Sequence, residues 1–146
     1  MGDKIMDNTE ILTSLLHTVQ MGQSGIRCVM DNAVGTKLKA ELKDQLKEYD
    51  ALEKETLVLA KQHGITLKNL NPAVQTMSSM MAKAQLMGGE RDSKIAGMLI
   101  QGNTRGMITG LKNLRKANQA SSDVKDLAQR ILNRENMNIQ KSQPFL

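Results

Sequence analysis

The sequence predicts an all-α protein: an antiparallel bundle of four long helices arranged as two helical hairpins, with a short extra helix in the connection between them. Three observations carry this expectation. Apolar residues recur at alternating spacings of 4 and 3 along four segments of roughly 20–27 residues. Each segment is bounded by capping residues, glycine or proline. No stretch alternates apolar and polar with the period of two that marks a half-buried strand. The 146 residues suit one domain, spanning 1–146.

The first helix is expected over about 8–34. Asp7-Asn8-Thr9-Glu10 places an Asp cap three residues before a Glu, a capping-box-like start. Leu12, Leu16, Val19, Gln23, Ile26, Met30 and Ala33 form its inward stripe, and Gly35 ends it. The second helix, about 37–63, takes Thr36 as its cap and Leu38, Leu42, Gln45, Tyr49, Leu52, Thr56 and Leu59 as its stripe, with Leu46 and Leu57 beside it. Mixed charges from Lys39 to Glu55 on its flank read as a solvated face. His63-Gly64-Ile65 is a stop: Gly can take the left-handed position, and Ile65 the apolar contact beyond it.

Asn71-Pro72 starts a short Met-rich helix, about 72–87, with Val74, Met77, Met80, Met81 and Ala84 apolar, and Gly88-Gly89 breaks it. The next long helix, about 91–118, opens at Glu90 or Asp92, with Ala96, Ile100, Asn103, Met107, Leu111 and Leu114 as its stripe. Gly102, Gly106 and Gly110 lie four apart on it. Each Gly costs about 1 kcal/mol of helix propensity relative to Ala, so close approach of another helix is expected there. Ser121-Ser122-Asp123 caps the last helix, about 122–142. Val124, Ala128, Ile131, Glu135 and Asn138 face inward, Leu127, Leu132 and Ile139 lie adjacent, and Pro144 ends it. Short links make the two hairpins, and the long link makes one crossover. Gly22-Gln23-Ser24 echoes Gly102-Asn103-Thr104, which sets Gln23 level with Asn103 and Tyr49 level with Glu135.

Composition narrows the function classes. Tyr49 and Phe145 are the only aromatics, there is no Trp, and 11 Met join Leu, Ile, Val and Ala in the core, giving a soft, adaptable interior. The net charge of +5 is scattered among acids, without the basic stripe or stacking platform that nucleic acids require. Cys28 is the single cysteine, which excludes an intrachain disulfide and suits a reducing compartment. The N-terminus has no apolar signal core, Met6 stands where a myristoylation motif wants Ser or Thr, and no apolar window reaches the ~18 residues of a membrane span. A cytoplasmic location without stable membrane insertion is expected.

With four long helices, the Gly64 stop, the amphipathic segment near 72–86 and the segment Arg105-Gly106-Met107-Ile108-Thr109-Gly110-Leu111-Lys112, the chain resembles the ferritin-like superfamily. It is similar to small uncharacterised bacterial members, and more distantly to spore-coat-protein-F-like proteins. The resemblance implies a mid-bundle pair of metal ions, held by a Glu from each of two helices and Glu-x-x-His from each of the other two. The sequence departs from that recipe. It has Gln23 (or Gln20) on the first helix, Glu48 three residues before Ala51 on the second, Asn103 (or Gln101) on the third, and Glu135 three residues before Asn138 on the fourth. His17 and His63 lie near helix ends. No metal, cofactor or catalytic set is therefore expected.

Gln23, Glu48, Tyr49, Asn103, Glu135 and Asn138 remain as a degenerate polar layer, read first as a register-fixing network and second as a ligand site. The functional expectation is a non-catalytic bundle acting through self-association, most simply a dimer using apolar surface of the segment 72–86, or through a protein partner, with a stress or spore role implied by the resemblance alone. The alternative is a metal-binding or redox bundle with an unconventional site centred on Glu135.

Overall fold

The computed structural model describes residues 5–74, 83 and 85–146, and it is an all-α bundle. Its long helices are α1 (Asn8–Met30), α2 (Thr36–Gln62), α3 (Arg91–Arg115) and α4 (Ser122–Ser142). A 3-10 turn, Gln143–Phe145, follows where Pro144 prevents continuation of the helix. There is no strand among the described residues. No helix among them is long and apolar enough to cross a membrane.

Local chemistry explains most boundaries. The Asp7 carboxylate accepts from Glu10 N at 2.8 Å and caps α1. At the end of α2, Gly64 adopts a φ of +68°, Ile65 N donates to Ala60 O at 2.8 Å and Gly64 N to Lys61 O at 3.0 Å. That is the glycine stop expected at this position. The α1–α2 link departs from expectation. α1 ends at Met30, not near residue 34, and Gly35, not Thr36, is the cap of α2. The reason lies 57 residues away. Asp92, in the first turn of α3, accepts from Val34 N and Gly35 N at 2.8 Å each and holds the link away from helical geometry. A Cβ at Gly35 would sit 2.8 Å from Asp92 Oδ2, so the carboxylate docks where glycine leaves room.

Contacts at the two ends fix the topology. At one end Met6 N donates to Lys116 O at 2.9 Å, Asn113 Nδ2 to Ser14 Oγ at 2.6 Å, and Asn8 Nδ2 to Ser121 Oγ at 2.8 Å. His63 meets Asp123 there at 2.9 Å. At the other end Asp92 holds the α1–α2 link, and Gln45 Nε2 approaches Ser142 Oγ at 3.4 Å. α1 is therefore antiparallel to α3, and α2 is parallel to α3, so α2 and α3 are joined by a crossover connection. That is the single crossover. Gln20 of α1 clamps it, Nε2 donating to Asn69 Oδ1 at 2.9 Å and Oε1 accepting from Leu70 N at 2.7 Å. Residues 72–74, 83 and 85 are helical, whereas Met77, Met80, Met81 and Ala84 of the expected Met-rich helix lie outside the described residues.

The core is aliphatic, built on Ile11, Leu12, Leu16, Ile26, Leu38, Leu42, Ile95 and Leu127. The expected stripes hold along α1, α2 and α4 with small shifts: Ala60 is buried while Leu59 is half-buried, and Leu57 is exposed. α3 differs. Its buried positions are Ile95, Ala96, Leu99, Asn103 and Asn113, whereas Ile108 and Leu111 are 50% and 49% exposed. Gly106 and Gly110 take the inward positions between Asn103 and Asn113 because α4 comes too close for a side chain. A Cβ would lie 2.9 Å from the Glu135 carboxyl at Gly106, and 3.3 Å from Leu132 Cδ1 at Gly110. Gly102, by contrast, meets nothing within 4 Å.

The tightest approach is between α1 and Tyr49, where a Cβ at Gly22 would stand 2.5 Å from Tyr49 Cζ. Gly22→Ala should lower the urea midpoint by the equivalent of about 1–3 kcal/mol, since overlap with a buried ring exceeds the helix-propensity gain. Gly25→Ala, with nothing within 4 Å of its added Cβ, should instead stabilise by about 1 kcal/mol. Equal shifts in the two melts would mean that Tyr49 does not pack on Gly22.

Candidate functional site

Tyr49 is the largest side chain of the mid-bundle and is buried from α2 against the bare Gly22 backbone of α1. Its hydroxyl reaches across to α3 and donates to Asn103 Oδ1 at 2.8 Å. Asn103 is oriented by its own helix, Nδ2 donating to Leu99 O at 2.7 Å, which turns Oδ1 toward the centre. Asn138 on α4 closes the group, Nδ2 donating to Tyr49 Oη at 3.2 Å and to Asn103 Oδ1 at 3.4 Å.

Glu135 lies one turn before Asn138 on the same face of α4, its carboxyl packed where a Gly106 side chain would be. It is 3% exposed, and it forms no ion pair among the described residues. Burial raises its pKa from 4.5 to about 8, with the Tyr49 hydroxyl partly offsetting the shift. Glu135 is thus mostly a neutral carboxylic acid at neutral pH, able both to donate and to accept. Burial, reinforced by the Glu135 charge, also pushes the Tyr49 phenol well above its ordinary value, so it stays protonated.

Of the six residues expected in the layer, Tyr49, Asn103, Glu135 and Asn138 come together. Glu48 does not: it is exposed on the solvent side of α2. Gln23 is buried, but its amide turns into the α1–α2 seam and donates to Asp50 Oδ1 at 2.8 Å. Gly22 and Gly106 were not foreseen as site residues, although a glycine level with a buried Tyr or Glu is the signal that finds them. Gln45 belongs here too: it is fully buried, and its Oε1 has no hydrogen-bond partner.

Above the layer lies a cleft of about 860 Å³ between α1 and α3. Tyr49, Gln45, Asn103 and Glu135 line its polar part, and Ile26, Val29, Met98 and Leu99 its apolar walls. Gly22, Gly25, Gly102 and Gly106 line it as well, and at Gly25 and Gly102, where nothing lies within 4 Å of an added Cβ, the lack of a side chain leaves it open. Glu10, His17, Cys28 and Arg105 also face it. The size and the sparse polar set fall within the range of small-molecule sites. The layer does not fit a pair of metal ions. It offers one protonated carboxyl, a phenol and neutral amides, which cannot compensate the buried charge of two cations. No group of three or more His, Cys, Asp or Glu converges among the described residues.

No protein-family model and no curated protein matches the chain. A solved structure is similar: a conserved hypothetical protein from Mycobacterium tuberculosis, at a TM-score of 0.71 and 12% identity, over 95% of this chain and 96% of that one. At this identity the likeness shows a shared fold.

The Glu135 carboxyl makes a pH prediction. The folded state keeps its proton up to about pH 8, whereas the unfolded chain releases it near the ordinary 4.5. The folded state therefore binds more protons in this window. Its stability is full below the lower value and falls as pH rises to the upper one, by at most ~1.4 kcal/mol per pH unit. Glu135→Gln should remove this component and melt later than the parent at pH 8. Urea melts across the window check it, and an unchanged slope would place the ionised form in the native state.

Proposed function

We propose that this chain is a non-catalytic bundle of ferritin-like architecture that works by binding, and that the cleft between α1 and α3 is where it binds. The four long helices with one crossover support the architectural part. The binding part rests on one observation: a buried carboxyl with no ion-pair partner among the described residues lies among neutral amides at the base of an apolar cleft of about 860 Å³. Such a set offers hydrogen bonds and shape but no group to carry electrons or transfer a substituent. His17 and Cys28 face the same cleft but stand 11 positions apart on α1, about 16 Å at 1.5 Å per residue, too far to act as a pair.

A neutral, polarity-sensitive dye such as Nile red tests the reading. Saturable blue-shifted emission at one dye per chain is expected. Tyr49 is the only tyrosine and there is no Trp, so intrinsic fluorescence should change in parallel. Gly102→Leu fills open space, since nothing lies within 4 Å of its Cβ, and should abolish binding while leaving the melt intact. Undiminished binding by that variant would remove the cleft as the site.

Exposed Ile108 and Leu111, one turn apart on α3, favour a second reading, self-association as a dimer. Sedimentation equilibrium at micromolar concentration should then show a dimer that the Ile108→Lys, Leu111→Lys variant loses. A monomer for the parent chain would end that reading.

A further inference from the structure

We infer that the cleft takes a long-chain aliphatic amine, its ammonium group set against Glu135 and its hydrocarbon chain lying between α1 and α3. The inference rests on the binding role proposed above and adds the ligand class. The polar base of the cleft has buried acceptors left without donors. The Tyr49 hydroxyl donates to Asn103 Oδ1 and also lies against the Glu135 carboxyl. Gln45 Oε1, in the cleft, and Asn138 Oδ1, in the layer beneath it, are buried without partners. The Glu135 carboxyl lies one turn from Asn138 on α4 and forms no ion pair among the described residues. The third unpartnered atom, Arg134 Nε, is a donor on a half-buried side chain whose Nη1 turns to Met137; its charge acts on Tyr49, but it forms no ion pair with Glu135 and does not line the cleft.

An ammonium group has three donors and no acceptor, so it answers this imbalance, whereas an alcohol brings a single donor. A fatty acid would add a second carboxyl beside Glu135, which itself forms no ion pair among the described residues. The charge balance also favours the amine. When an ammonium ion enters, Glu135 gives up its proton to solvent, and a neutral ion pair stands where a neutral acid stood. One proton leaves for each amine bound.

The cleft suits the rest of the molecule. Its lining extends from Thr9 to Val29 along α1, about 30 Å at 1.5 Å per residue, and its apolar walls lie on both helices. The other ionisable groups that face the cleft are Glu10, His17 and Cys28 on α1, Tyr49 on α2 and Arg105 on α3. Glu135 is the one buried carboxylic acid among the described residues.

Displacement of Nile red by decylamine, decanol and decanoate tests the assignment at neutral pH. Decylamine should bind about tenfold or more tightly than decanol, and decanoate least. Calorimetry in buffers of different ionisation enthalpy should report close to one proton released per decylamine bound. Glu135→Gln should bind decylamine no better than decanol and release no proton. If decylamine binds no better than decanol, or if Glu135→Gln binds it equally well, the amine assignment falls while the cleft stands. If the parent chain fails to bind Nile red, the binding reading itself falls.

Discussion

The constraint on which the middle of this molecule depends is the packing of Tyr49 across the bundle. A ring of that size enters an aliphatic core only where a neighbour gives up its side chain, and Gly22 of α1 does so. The hydroxyl at its tip is then buried and must be bonded, because an unpaired buried polar group costs about 1–3 kcal/mol. Asn103 and Asn138 meet that need from α3 and α4. Once those two amides face the ring, the rotations of their helices are set. Glu135, one turn from Asn138, is carried inside with them, and Gly106 has to be bare to admit it.

Two kinds of polar layer occur in helical bundles, and the details separate them. A layer that serves only to fix register is satisfied within itself, and replacing it with apolar residues of similar volume is often neutral or stabilising. This layer is not self-satisfied. It leaves acceptors of Gln45 and Asn138 unpartnered and holds a buried carboxyl with no ion-pair partner among the described residues. Departures of this kind from local physical rules gather at functional sites, which is the reason for reading the layer as the base of a cleft and not as architecture alone.

Sequence reading succeeded where the signal was local or apolar. Asp7, Gly64 and Pro144 marked helix ends through chemistry confined to a few neighbours, and Leu, Ile and Val traced the inward faces of α1, α2 and α4. It failed where the cause was distant or the signal was missing. α1 stops at Met30 because Asp92, 57 residues beyond Gly35, holds the link, and nothing near Met30 announces it. α3 was phased on Ile100 and Leu111 because its inward positions include glycines, which carry no apolar mark. In the candidate site, stripe position found Tyr49, Asn103, Glu135 and Asn138. Gln23 went elsewhere because a long amide at the edge of a stripe can turn to a neighbouring helix, and Asp50 was within reach. Glu48 adjoins Tyr49 in sequence, but one residue along a helix turns the side chain by about 100°, enough to leave the core.

The position of the cleft follows from how α1 divides its polar residues. Asn8 is bonded to Ser121 of α4, Ser14 to Asn113 of α3, Gln20 to the crossover and Gln23 to Asp50 of α2. α3 is thus tied to α1 and its link at the two ends, by Ser14–Asn113 and by Asp92 on Val34 and Gly35. Between those ties no side-chain hydrogen bond joins the two helices among the described residues. What stands between them at mid-height is the Tyr49 ring, too large to let the helices close and seated on a glycine that cannot fill the space beside it. Gly25 and Gly102 likewise have no side chain to fill that space. Two helices pinned at their ends and held apart at the middle leave a cleft over whatever props them, and here that prop also carries the hydroxyl that organises the polar base.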